Sequence, residues 1–206
     1  METINYKGCL IKIEQDEYSE SPREWDSLGT MVCWHSRYNL GDKHSFDNNN
    51  EFQEFVKDED IAVLLPLFLY DHSGITMNTT GFSCPWDSGQ AGWIYITKDR
   101  VKKEYSWKNL TRTRLAKIRE YLVGEVKTYD DYLTGNVYGF TAEDKNGEEI
   151  DSRQGFFGDH EKSGLLDEAK GSIDYHIDHK RRKHLEYLKS MIRNRVPLEA
   201  RLAMNI

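Results

Sequence analysis

Cysteine is scarce in this chain: Cys9, Cys33 and Cys84 are its only three, an odd number with no CxxC spacing. That excludes a disulfide framework and predicts reduced thiols in a cytoplasm. Long apolar runs are missing too. None approaches the roughly 20 residues that span a bilayer, so no membrane contact is expected. The N-terminal METINYKGCLIKIEQDE has no apolar core of the signal-peptide kind, and none is predicted. Ser88-Gly89-Gln90 and Gly155-Phe156-Phe157-Gly158 fit neither the P-loop nor the GxGxxG pattern, which excludes a phosphate loop of either type. Internal repeats, low-complexity segments and obvious linkers are also absent.

What is present describes a folded domain with a heavily solvated surface. Apolar residues make up 38% and aromatics 12% of the 206 residues, enough for a core, while charged residues reach 31%. The mean hydropathy is −0.76. The net charge of −7 is uneven: residues 176–206 carry eight Lys/Arg against three Asp/Glu, leaving about −12 on the rest. A basic tail on an acidic body points to a nucleic-acid or acidic-protein contact, or to a solvated helix folded back on the body.

The stretch from Ile61 to Lys98 organises the reading. Ile61–Tyr70 is nearly all apolar and predicts a strand buried on both faces. It delivers Asp71, His72 and Ser73 to its end. After a break at Cys84-Pro85-Trp86-Asp87-Ser88-Gly89-Gln90 the chain re-enters a strand at Trp93–Thr97. Upstream, residues 8–14 alternate as a half-buried strand, and Ser21-Pro22 has the form of a capped turn. Leu28–Trp34 is a strand ending in His35-Ser36-Arg37-Tyr38. Asn48–Lys57 is an amphipathic helix. Asp99–Tyr121 is helical in two pieces, the first capped by Asp99 and the second by Asn109 or Thr111, with Lys108, Arg112, Arg114, Lys117 and Arg119 on the outside. Residues 135–143 and 149–157 flank Asn146-Gly147 as a hairpin. Residues 163–171 and 173–191 are two helices, the second with Ile177, Leu185, Leu188 and Ile192 on its buried stripe. A terminal turn covers Leu198–Met204. The fold expected is α+β: a mixed, partly antiparallel sheet of about five or six strands with three or four helices. Residues 1–172 form the domain and 173–206 a helical appendage with a basic helix.

Three constellations could carry chemistry. His35 and His72 each follow a core strand, and with Arg37, Tyr38 and Asp71 they supply a base, an acid and a phosphate-holding cation. That set suffices for metal-free RNA cleavage; the plainer alternative is two satisfied histidines at strand ends. Cys84 beside His72 and Asp71 or Asp87 could be a nucleophile, or a structural thiol under Trp86. His35, His44, His72, Asp42, Asp71 and Asp87 offer metal-ligand atoms, but no HExxH or HxH spacing, so neither metal nor cofactor is assigned. Trp86, Asp87 and Gln90, with the basic Arg112, Arg114, Lys180, Arg181 and Arg182, are candidate substrate contacts. His176 and His179, at i and i+3, could share a ligand.

The segments SPREWDSLGTMVCWHSRYNLGD, LYDHSGITMNTT, FSCPWDSGQAGWIYI and YDDYLTGNVYGF resemble a family of small proteins of phages, prophages and plasmids, over roughly residues 8–170. In that family Cys-Trp often follows Asp-Ser where this chain has Arg153-Gln154, so a role needing a cysteine there does not carry over. The resemblance implies an anti-defence context in a host cytoplasm, similar to inhibitors of CRISPR nucleases. The implied partners are a host defence nuclease or its guide RNA. RNA cleavage at His35 and His72, a non-catalytic acidic binder or DNA mimic, and a Cys84-dependent hydrolase or transferase all stay open.

Overall fold

The computed structural model describes residues 1–193 and 197–203, with the backbone alone at 193, 198, 201 and 203. The fold is α+β. Among the described residues eight strands form two four-stranded sheets, rather than the single sheet expected. The chain divides into two compact units: residues 17–137, and residues 1–16 with 138–206.

The discontinuous unit is built on β1 (Glu2–Tyr6), β2 (Cys9–Gln15), β7 (Val137–Glu143) and β8 (Glu149–Phe157), in the order β1-β2-β7-β8. Leu10 to Gln15 pair antiparallel with Glu143 to Tyr138, so the long excursion of residues 17–137 leaves and re-enters this unit at adjacent strands. Between β7 and β8 the Gly147 N–H donates to Asp144 O and the Asp144 N–H to Glu148 O. Gly147 sits at φ +82°, a conformation glycine adopts without a steric penalty. The helix α4 (Leu165–Arg193) is continuous; Gly171 does not break it, and the expected boundary at 172/173 falls inside it. Leu165, Ala169 and Ile173 pack with Ile11, Ile13, Phe140 and Ala142. The buried stripe therefore lies N-terminal to the one expected, and Leu185 and Ile192 are exposed. The terminal turn is α5 (Leu198–Ala203); Met204 lies outside the described residues.

The continuous unit has the sheet order β3-β6-β4-β5, from β3 (Thr30–Cys33), β4 (Ile61–Asp71), β5 (Ile75–Asn78) and β6 (Ser88–Thr97). Every strand pairing in it is antiparallel. In β4 the odd residues Val63, Leu65, Leu67 and Leu69 are buried while their even neighbours are only half-buried. The strand thus alternates, and the expected burial on both faces is only half met. The buried face packs with Ile94 and Ile96 of β6 and with Ile118, Leu122, Val126 and Tyr129 of α3 (Arg112–Leu133). On the other face lie Trp93 and Tyr95, with an aromatic cluster from α1 (Asn49–Asp58): Phe52 is fully buried and 5.5 Å from Tyr95 between ring centroids.

Pro66 is tolerated within β4 because β5 pairs only from Phe68 onward. At Pro66 the strand is still an edge on that side, where a missing N–H breaks no ladder. Gly92 is obligatory for a different reason: a Cβ there would lie 2.1 Å from Val32 O across β3. The helix α2 (Lys98–Tyr105) is capped by Thr97, whose side chain accepts from the Arg100 N–H, and not by Asp99. Thr111 caps α3, which runs on to Leu133. Strands β1 and β5 escape the sequence reading because both are short, and β1 is mostly polar. Among the described residues no helix is long and apolar enough to cross a membrane.

Candidate active site at one edge of the β3-β6-β4-β5 sheet

His35 and His72 reach one sheet edge, though β3 and β4 are not neighbours. Each pairs antiparallel with β6, which lies between them. They therefore run parallel to each other and end on the same side, where β6 begins. A β-bulge at Ala91, between the pairs Leu67–Gly92 and Phe68–Gln90, bends β6 beside this edge; such bulges re-aim side chains. Past β4, His72-Ser73-Gly74 form a tight turn into β5. The His72 N–H donates to Gly74 O at 3.0 Å and Ser73 takes φ +58°.

Two carboxylates organise the cluster. Asp71 accepts from the Arg37 guanidinium and lies 3.8 Å from His35 Nε2. Asp87 Oδ2 lies 3.3 Å from His72 Nδ1 and accepts from Cys84 Sγ at 3.7 Å. The two halves are tied through the backbone, the Asp71 N–H donating to Asp87 O at 2.8 Å. His35 stacks on Tyr38 with 5.0 Å between centroids, and the Arg37 guanidinium lies 5.6 Å from the same ring.

These partners assign the tautomers. His35 Nδ1 accepts from the Arg37 and Tyr38 backbone N–H groups, each at 3.3 Å. Its ring proton then sits on Nε2, facing Asp71. His72 Nδ1 lies 3.3 Å from Asp87 Oδ2; a proton held on that nitrogen leaves Nε2 as an acceptor. The His72 side chain is 63% exposed and that of His35 19%, so the first faces solvent and the second is sheltered. Arg37 is 65% exposed and keeps donors free beyond those Asp71 uses.

The loop carrying His35 is locked by a buried ion cluster. Arg23, with a side chain 5% exposed, donates Nε to Asp42 Oδ1 at 2.8 Å and Nη2 to Asp42 Oδ2 at 2.6 Å. It also lies 3.4 Å from Glu125, which accepts from the Leu28 and Gly29 N–H groups. Asp42 in addition accepts from the Met31 N–H. Asp42 is thus a structural anchor, and His44 is similar, donating Nε2 to Cys33 O at 2.9 Å. Burial pushes the Cys33 thiol up to about 12. Arg23, Asp42 and Glu125 were missed as a unit, since Arg23 and Glu125 are far apart in sequence; Arg23 within the short turn Ser21-Pro22-Arg23 was the only local hint.

Other expected members fall elsewhere. Cys84 meets the carboxylate that His72 also uses, not the imidazole a cysteine nucleophile takes as its base. Trp86 is 90% exposed, and Gln90 folds onto Gly92 O. A hollow of about 730 Å³ is lined by Trp34, His35, Tyr38, Asn39 and Lys43 among others, but not by His72, Arg37 or Cys84. The cluster is joined by hydrogen bonds along the edge instead of by one pocket. Asp130, in the last turn of α3, bonds Thr76 of β5, so Arg112 and Arg114 lie at the far end of that helix, about 24 to 27 Å from Asp130 by its rise per residue. Arg114 is occupied with Asn109 O and the Trp107 ring. Lys180, Arg181 and Arg182 belong to α4 in the other unit, where Lys180 pairs with Asp144 at 3.1 Å. Among the described residues no group of three or more His, Cys, Asp or Glu side chains is arranged to hold a metal ion. The chain matches no protein-family profile, no curated protein and no solved structure.

Proposed function

We propose that this protein is a mobile-element anti-defence protein that cleaves RNA without a metal ion, using the His35–His72 edge. One observation supports the reading: two imidazoles, each beside its own carboxylate, stand at one sheet edge, with a partly exposed guanidinium bound to the carboxylate that His35 faces. His72 Nε2 takes the proton of the 2′-OH as that oxygen attacks phosphorus. The 5′-oxygen leaves with the Nε2 proton of His35 in its imidazolium form, which requires Nδ1 to be released from the Arg37 and Tyr38 N–H groups and to carry a proton of its own, and the product is a 2′,3′-cyclic phosphate. Arg37 holds the phosphate oxygens as charge develops on them, and Trp86 offers a face to a base. Asp71 and Asp87 orient the rings and stabilise them when protonated.

Labelled structured RNA incubated with the protein is expected to be cut in EDTA to cyclic-phosphate ends, with matching DNA left intact. His72→Ala should slow the reaction by about 10²–10⁴. Cleavage that needs a metal, or that survives in His72→Ala, overturns the reading. The exposure of Trp86 favours a second reading, a non-catalytic binder of a host nuclease, since tryptophan is a common interface anchor. A complex with a nuclease on a sizing column, without RNA cleavage, is its expected result.

A further inference from the structure

The unit formed by residues 1–16 and 138–206 contains a hollow of about 470 Å³ between β8 and α4. Its size falls within the range of small-ligand sites. On the β8 side are Asp151 and Arg153; on the α4 side are Asp167, Glu168, Gly171, Tyr175, His176 and His179. Four features of this hollow are independent of the His35–His72 edge.

Gly171 is the seventh residue of a 29-residue helix, an interior position where glycine is among the poorest residues. Packing does not require it, because a Cβ built there meets nothing within 4 Å. What the missing side chain does is keep the floor of the hollow open. Next, His176 Nε2 is buried and has no hydrogen-bond partner, and a buried polar atom left unpaired is uncommon and costly. Third, the charge is unbalanced. Asp151, Asp167 and Glu168 face one cation, Arg153, which binds both Asp151 and Glu168. Asp151 is held in place by the Ser172 hydroxyl and the Ser152 N–H. Finally, Tyr175 is 72% exposed and stacks on His179 at 5.8 Å with 11° between the planes, forming an aromatic wall.

We propose that this hollow binds an organic cation, an alkylammonium or alkylguanidinium group. The surplus carboxylates attract the charge, and the Tyr175 face takes it by cation–π attraction. An anionic ligand would meet three carboxylates against one guanidinium.

Calorimetric titration of the full chain tests this with agmatine, spermidine and Nα-acetyl-arginine amide, against sodium chloride at equal ionic strength. The first two stand for free cations, the third for a peptide side chain. The expected result is saturable binding of at least one probe with Kd near or below about 1 mM. Gly171→Leu should weaken it more than about tenfold by filling the floor, with Tm unchanged or raised because leucine is the better helix former. Tyr175→Ala, which removes no packing contact of the core, should weaken it several-fold. Absence of saturable binding by every probe overturns the proposal, as does an unchanged affinity in Gly171→Leu.

Discussion

Asp71 and Asp87 show what a single carboxylate does when the chain brings it a partner. Both are candidates on the sequence alone, and each stands beside one histidine. In the other unit, carboxylates do a structural job that leaves a pH signature. Asp144 accepts from the Asn146 N–H first of all, then from the Glu148 N–H and Lys180. Asp174 accepts from Lys7 and then Tyr6. Both are held below the ordinary carboxylate value of 3.8. A group with a depressed folded-state pKa stabilises fully above its unfolded value, and that stabilisation is lost as pH falls through the folded one. Asp144→Asn should therefore lower the urea midpoint at pH 7, and the gap to the parent should close as the pH drops below 3.8. An equal gap at pH 7 and pH 3 would refute a charge-based role for Asp144.

Between α1 and the sheet, the stabilising unit is an aromatic layer. Phe52 touches Trp34, Phe46, Phe55, Trp93 and Tyr95, with centroids 5.3 to 6.5 Å apart, and none of its surface is exposed. Truncating such a ring removes its transfer energy and leaves a cavity. Phe52→Ala should destabilise by about 3–5 kcal/mol in denaturant unfolding. The same helix supplies Asn49, which accepts from Trp93 Nε1 at 2.8 Å, so near-ultraviolet circular dichroism should register the loss as well. A cost below about 1 kcal/mol would mean that the layer can collapse around the gap.

The whole molecule is one unit interrupted by another. Residues 17–137 leave β2 and return to β7, which are paired strands. They have their own core of β3, β4, β6 and α3 side chains. A chain of residues 17–137 alone should therefore fold cooperatively, with the Trp and Tyr near-ultraviolet signals of the aromatic layer intact. If the RNA reading holds, that fragment should retain metal-free cleavage. A molten, non-cooperative fragment would show that its core depends on the remainder of the chain.

Much of the fold was legible because it rests on local pattern. The caps at Ser21 and Thr111, the hairpin at Asn146-Gly147 and the strands around Ile61–Tyr70 and Trp93–Thr97 follow from side-chain hydrogen bonding, turn chemistry and apolar periodicity. Within those limits the sequence alone determined an α+β protein and delivered histidines to the ends of two strands. Only the tertiary structure decided that β6 stands between those strands, that each imidazole meets its own carboxylate, and that Arg112 lies far along α3 from Asp130. Only it revealed that Arg23, Asp42 and Glu125 form a buried cluster and that the two sheets belong to separate units. The physical reason is range: periodicity and capping act within a few residues, whereas pairing order and ion-pair geometry depend on which distant segments the core brings together.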